Sequence, residues 1–109
     1  MSNDISLTVR LPHELNIQLG IVSKDMGVTK TNLIRSAIHD FLTNDQTILS
    51  FTPSSSDKKD RLVLNINQMT RNILENACQK YNQPMNAVIT SISILALERS
   101  SKWLQATRK

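Results

Sequence analysis

The chain has 109 residues and a mass of 12.3 kDa, with 13 Lys and Arg against 9 Asp and Glu, a net charge of +4 and a pI near 9.6. That length fits one small domain, or two very small units sharing a core, and is too short for most α/β enzymes; with four aromatic residues in all, the core must be aliphatic. One cysteine, Cys78, excludes an intrachain disulfide and a Cys-based zinc site and suits a reducing cytoplasm, while His13 and His39 lack a third ligand at any usual spacing, so neither a metal nor another cofactor is expected.

From Ile5 to Leu11 apolar and polar residues alternate at period two, the pattern of a strand with one buried face. Pro12 then sets φ for the first turn of a helix, along which Leu15, Leu19, Val22 and Met26 recur at spacings of four, three and four. Gly27 stops that helix in a left-handed turn, and Thr29 reads as the N-cap of a second one carrying the stripe Leu33, Ile34, Ala37, Ile38, Phe41 and Leu42.

Thr43 to Lys59 follows as a connection, with Pro53 to Lys59 as its clearest linker. Its 17 residues extend to roughly 55 Å, against about 20 Å needed to retrace a 13-residue helix, so a second strand can return antiparallel beside the first. Ile48, Leu49 and Phe51 are expected to dock on the folded body.

The same order then repeats at a shift of 55 residues. Leu62, Leu64 and Ile66 fall on Leu7, Val9 and Leu11, and the outward positions Arg61, Val63 and Asn65 fall on Ser6, Thr8 and Arg10. Met69, Ile73, Ala77 and Tyr81 form a stripe at spacing four, which implies a slip of one against the first helix, since Met69 rather than Thr70 then matches Leu15. Asn82 stands where Gly27 stood, and Pro84 can occupy the first turn of the last helix. Val88, Ile89, Ile92, Ala96 and Leu97 match the later stripe, with Ser93 in place of Ile38. The β-rich run Ile89 to Leu95 is compatible with a strand, but the repeat and its continuation to Trp103 favour helix. Trp103 is expected to pack rather than stack on a base; Cys78 and Met69 read as core, and His13 and His39 as helix surface.

The segments Ile5 to Leu15 and Gly27 to Ile34 closely resemble the ribbon-helix-helix family of DNA-binding proteins, over Ile5 to Leu42 well and Arg61 to about Ser100 less well. Single-chain versions with two copies are similar to the TraY group of conjugation accessory proteins. The resemblance implies a mainly α fold with a two-stranded antiparallel ribbon, formed as an intramolecular pseudo-dimer of repeat 1 (1–43) and repeat 2 (60–109, with a helical extension) across a linker (44–59). It implies a cytoplasmic protein without catalysis that binds double-stranded DNA, the ribbon entering the major groove, as a repressor or a plasmid accessory factor. Self-association on DNA, and a relaxase or a toxin as protein partner, are compatible with it. Two alternatives stay open, an antitoxin of a toxin-antitoxin pair and a structural helical oligomerisation module; against the first, only about nine residues follow Ser100, whereas antitoxins of this family usually carry a separate toxin-wrapping segment.

The residues agree with that expectation. Outward strand side chains face base edges, so Arg10 suits guanine, Asn65 adenine, Thr8 a thymine methyl or a hydrogen bond, and Val63 an apolar contact, with Ser6 and Arg61 at the ends. The resemblance further places phosphate contacts at the amino ends of the second helices, where free N–H groups and the helix dipole favour anions: Thr29, Lys30 and Thr31 in repeat 1, Met85 and Asn86 in repeat 2. Repeat 2 departs from the pattern, because Pro84 lacks an N–H and Met85 a charge. Residues 1–45 carry four basic and five acidic residues, net −1, whereas 57–109 carry nine and four, net +5; Lys58, Lys59, Arg61, Lys102, Arg108 and Lys109 are candidates for nonspecific attraction to a polyanion. The start does not read as a signal peptide, no stretch approaches the roughly 18 apolar residues that span a bilayer, and two glycines do not make a phosphate-cradling loop.

Overall fold

The period-two alternation builds β1 (Ile5–Pro12), which runs directly into α1 (His13–Met26) and then α2 (Lys30–Leu42); β2 (Lys59–Ile66), α3 (Gln68–Tyr81) and α4 (Met85–Thr107) repeat that order. The computed structural model describes residues 5–44, 46–51 and 58–107. Pro53 to Asp57 of the expected linker, and the basic residues Arg108 and Lys109, lie outside them.

β1 and β2 form a two-stranded antiparallel sheet, in register from Ile5 opposite Ile66 to Pro12 opposite Lys59. One face carries Ile5, Leu7, Val9 and Leu11 with Leu62, Leu64 and Ile66, and lies on the helices. A lone hairpin-sized ribbon is marginal in water, so its persistence depends on that burial. Beneath it α2 packs on α4, α1 lies against α4 and α3 against α2. Each outer helix therefore touches the central helix of the opposite half, and the two halves share one core. Its buried apolar residues are all aliphatic, among them Leu11, Leu19, Ile34, Ile38, Leu64, Leu74, Ile89 and Ile92; full burial of each is worth about 1.5–3 kcal/mol.

The helix ends explain how the short turns form. Gly27 is left-handed at φ 75°, its N–H donating to the Lys24 carbonyl at 3.1 Å while Val28 N–H donates to that of Ser23 at 3.0 Å. Asn82 adopts the same region at φ 52° and closes α3 in the same way. Thr29 Oγ1 accepts from Asn32 N–H at 3.1 Å and Asn67 Oδ1 accepts from Thr70 N–H at 2.8 Å, so both helices start on a side-chain cap. Pro12 and Pro84 stand one residue before α1 and α4 instead of inside their first turns; the Pro84 carbonyl accepts from Ala87 and Val88.

Several sequence expectations are corrected. Met69 is 64 % exposed and Thr70 is buried at 3 %, so the shift of 55 runs unbroken from Leu15 to Thr70, Leu19 to Leu74 and Val22 to Ala77. Residues spaced strictly by four advance about 40° around a helix at every step, so Met69 has rotated out to solvent. The polar Thr70 is tolerated because its hydroxyl donates to Asn67 Oδ1 at 2.9 Å and lies 2.8 Å from His39 Nε2. His39 and His13 are accordingly half-buried and hydrogen-bonded rather than free helix surface. Leu49 is buried and Phe51 leans on Tyr81 with ring centroids 5.4 Å apart, whereas Ile48 between Thr47 and Leu49 is 81 % exposed. Trp103 is 54 % exposed, whereas its neighbour Leu104 packs against the core, so Trp103 lies on the outer side of α4. Cys78 is half-buried, and burial, helped by the Glu75 carboxylate, pushes its thiol pKa up. The β-rich run Ile89 to Leu95 is helical, its stripe buried at Ile89, Ile92 and Ala96. Among the described residues no helix is long and apolar enough to cross a membrane.

Candidate nucleic-acid interface

Burying Leu7, Val9, Leu62 and Leu64 forces the alternate residues outward, and the register sets them opposite one another. Ser6 faces Asn65, Thr8 faces Val63 and Arg10 faces Arg61; all six are exposed. A fourth outward pair, Pro12 with Lys59, lies beyond the arginines. Lys59, expected as the last residue of the linker, is instead the first residue of β2 and part of the ribbon face.

The pairs are chemically distinct. Ser6 Oγ donates to Asn65 Oδ1 at 3.1 Å, which leaves the amide nitrogen of Asn65 facing outward with its hydrogens unspent on Ser6. Thr8 and Val63 form a mostly apolar centre, Val63 being 44 % exposed. Arg10 and Arg61 place two cations side by side, and neither is paired with a carboxylate among the described residues. Like charges directly opposite on a sheet are destabilising.

The only acid in either strand, Asp60, is kept off that face. It sits opposite Leu11 on the inner side, where Asp60 Oδ2 accepts from Asn16 Nδ2 at 2.8 Å and lies 2.8 Å from His13 Nδ1. These hydrogen bonds, that of Asn16 foremost, hold its carboxyl below the ordinary carboxylate range. Lys30 extends the network, donating to Asn16 Oδ1 at 2.5 Å. The outward surface is therefore positive and neutral, with no negative side chain.

Both ribbon edges are tied to the central helices. Asn86, in the first turn of α4, accepts from Arg10 N–H at 2.7 Å and donates to the Arg10 carbonyl at 3.0 Å. On the other edge Arg35 of α2 donates to the Asn65 carbonyl at 3.0 Å and also to Asn32 Oδ1. Arg10 and Asn65 are related by the shift of 55, so equivalent backbone positions are held on each side. Three edge groups, the Arg10 N–H and carbonyl and the Asn65 carbonyl, are thereby satisfied, which anchors the backbone under two of the outward side chains.

The amino-end candidates are placed less uniformly. Thr29 is exposed but its hydroxyl caps α2, and Lys30 is turned onto α1 through Asn16. Thr31 is half-buried in the same turn. Met85 is packed against the core, and Asn86 spends its amide on the ribbon edge. Arg35, which the sequence showed only as a helix cation, stands beside the ribbon through its bond to the Asn65 carbonyl. Among the described residues no three of His, Cys, Asp and Glu gather where a metal ion would be held. No protein-family model, no curated protein and no solved structure matches the chain.

Proposed function

We propose that this chain is a sequence-specific double-stranded DNA-binding protein of the ribbon-helix-helix type, both copies coming from one chain as an intramolecular pseudo-dimer. Its ribbon enters the major groove, and it acts as a small repressor or as an accessory factor of plasmid transfer, without catalysis. The observation that carries this reading is the outward face of the ribbon: two opposed arginines without a carboxylate partner among the described residues, an exposed amide and an apolar centre, with the strands' only acid turned underneath. A major groove about 12 Å wide admits a two-stranded ribbon and presents the matching donors, acceptors and methyl groups. Opposed arginines cost stability in the free protein and are relieved by a polyanion, which a merely solvated sheet face would not require.

The supporting test is titration of labelled duplexes from the DNA flanking the protein's own gene, with footprinting of any that bind. A protected tract, bound at least 100-fold more tightly than random duplex and weakened by salt, is expected. Equal affinity for every duplex would overturn the reading.

A further inference from the structure

We infer that the ribbon reads its DNA with a fixed polarity, guanine under the Arg10–Arg61 end and adenine under the Ser6–Asn65 end, with thymine methyl contacts between. The inference rests on the DNA reading proposed above and names the sequence class that reading leaves open.

Along the ribbon the outward pairs follow one another as Arg10/Arg61, Thr8/Val63 and Ser6/Asn65. Residues two apart on a strand are separated by about 6.7 Å, close to two base-pair steps of about 3.4 Å. The three pairs therefore span roughly five base pairs.

Each end accepts one chemistry and rejects the other. A guanidinium has only donors, and two of them match the adjacent O6 and N7 acceptors of guanine. Among the described residues Arg10 and Arg61 have no carboxylate to satisfy first, which leaves their guanidinium groups for the groove. At the opposite end Ser6 donates to Asn65 Oδ1 at 3.1 Å. That oxygen keeps a second lone pair, and the amide nitrogen beside it keeps its hydrogens. One acceptor next to one donor matches the N6 amino group and N7 of adenine; over guanine the oxygen of the amide would face O6, a second acceptor. Ser6 is thus a positioning residue, holding the amide in the orientation that adenine needs.

The backbone under both ends is anchored to the helices. Asn86 holds Arg10 from one edge through two hydrogen bonds, and Arg35 holds the Asn65 carbonyl from the other. A duplex with adenine at both ends or guanine at both ends would therefore satisfy one end of the ribbon and leave the other mismatched.

The test is selection of bound duplexes from a randomised pool by the full chain, with sequencing of the enriched fraction. Wild type is expected to enrich a directional element with guanine at one end and adenine about four base pairs away. Asn65→Ala is expected to lose the adenine and keep the guanine, and Arg10→Ala the reverse. Ser6→Ala is expected to keep the guanine and cut the preference for adenine about 10-fold in competition between duplexes differing at that pair, with Ser6→Thr restoring it. Circular dichroism melting of each variant separates lost reading from lost folding. An enriched element that is palindromic, or in which Asn65→Ala leaves adenine in place, overturns the polarity and leaves DNA recognition standing; absence of any enrichment overturns both.

Discussion

Arg10 and Arg61 stand directly opposite each other on the outward face of the ribbon, with no carboxylate partner for either among the described residues. Removing one cation relieves repulsion in the free protein and removes a base contact. Arg61→Ala is therefore expected to leave the thermal midpoint unchanged or slightly raised, while discrimination between specific and random duplex falls about 10-fold or more, the size of a good bidentate base contact. Melting curves and competition binding on the same preparation check both halves. A lower midpoint with unchanged discrimination would mean that Arg61 serves the fold.

The side-chain amide of Asn86 is committed to the Arg10 backbone. Asn86→Ala is expected to cost about 1–3 kcal/mol, two hydrogen bonds at about 0.5–1.5 each, read as a lower denaturant midpoint at unchanged slope. Amide exchange at Arg10 should accelerate selectively. If Arg10 exchanges at the wild-type rate in the variant, the clamp is not formed in solution.

Two buried hydroxyls are expected to behave in opposite ways. Ser93 is fully buried and donates at 2.8 Å to the Ile89 carbonyl, one turn back in its own helix. Alanine removes a group that competes with the helix backbone and has the higher helix propensity, so Ser93→Ala should be neutral or stabilising by about 0.5 kcal/mol. Thr70 bridges Asn67 and His39. Thr70→Val strands those partners and should cost about 1–3 kcal/mol. Urea titrations of the two variants decide it; a larger loss for Ser93→Ala than for Thr70→Val would reverse the assignment.

The path of the chain was legible because its signals are local. Alternation from Ile5 to Leu11, a glycine at 27 and an asparagine at 82 each act within a few residues, and they place the strands and the two left-handed turns. What was not legible depends on partners distant in sequence. Thr70 reads as a surface residue until His39 is brought to it, and its apolar neighbour Met69 fits the stripe better on spacing alone. Leu49 and Ile48 are equally apolar, and only the course of the 46–51 segment across α3 and α4, fixed by Tyr81 Oη donating to the Thr47 carbonyl and Ser91 Oγ to that of Ser50, buries one and exposes the other. In the candidate interface the outward side chains followed from parity alone. Their backbone anchors, Asn86 and Arg35, are 76 and 30 residues from the positions they hold, and sequence spacing carries no signal for such a bond.

Asp60 has its carboxyl pKa lowered from the ordinary 3.8 by hydrogen bonds from Asn16 and the His13 ring. A carboxyl that binds its proton more weakly when folded contributes stability above its unfolded value and loses it as pH falls through the folded one. The contribution is thus present at neutral pH and disappears below about pH 4. Asp60→Asn should be less stable than wild type at pH 7, with the difference closing in the acid limb; urea midpoints from pH 7 to pH 2.5 give the profile. A difference that stays constant with pH would mean that the carboxylate's charge is irrelevant to the network.

The central claim is that the outward face of the ribbon is the surface that meets DNA. Backbone and side-chain NMR shifts of the labelled full chain, recorded as a duplex enriched by selection is added, test it most directly. The account predicts that the largest changes fall on Ser6, Thr8, Arg10, Arg61, Val63 and Asn65, with the arginine and asparagine side-chain N–H signals moving most. Shifts confined to α1, α3 or the end of α4, with the ribbon signals unmoved by saturating duplex, would contradict it.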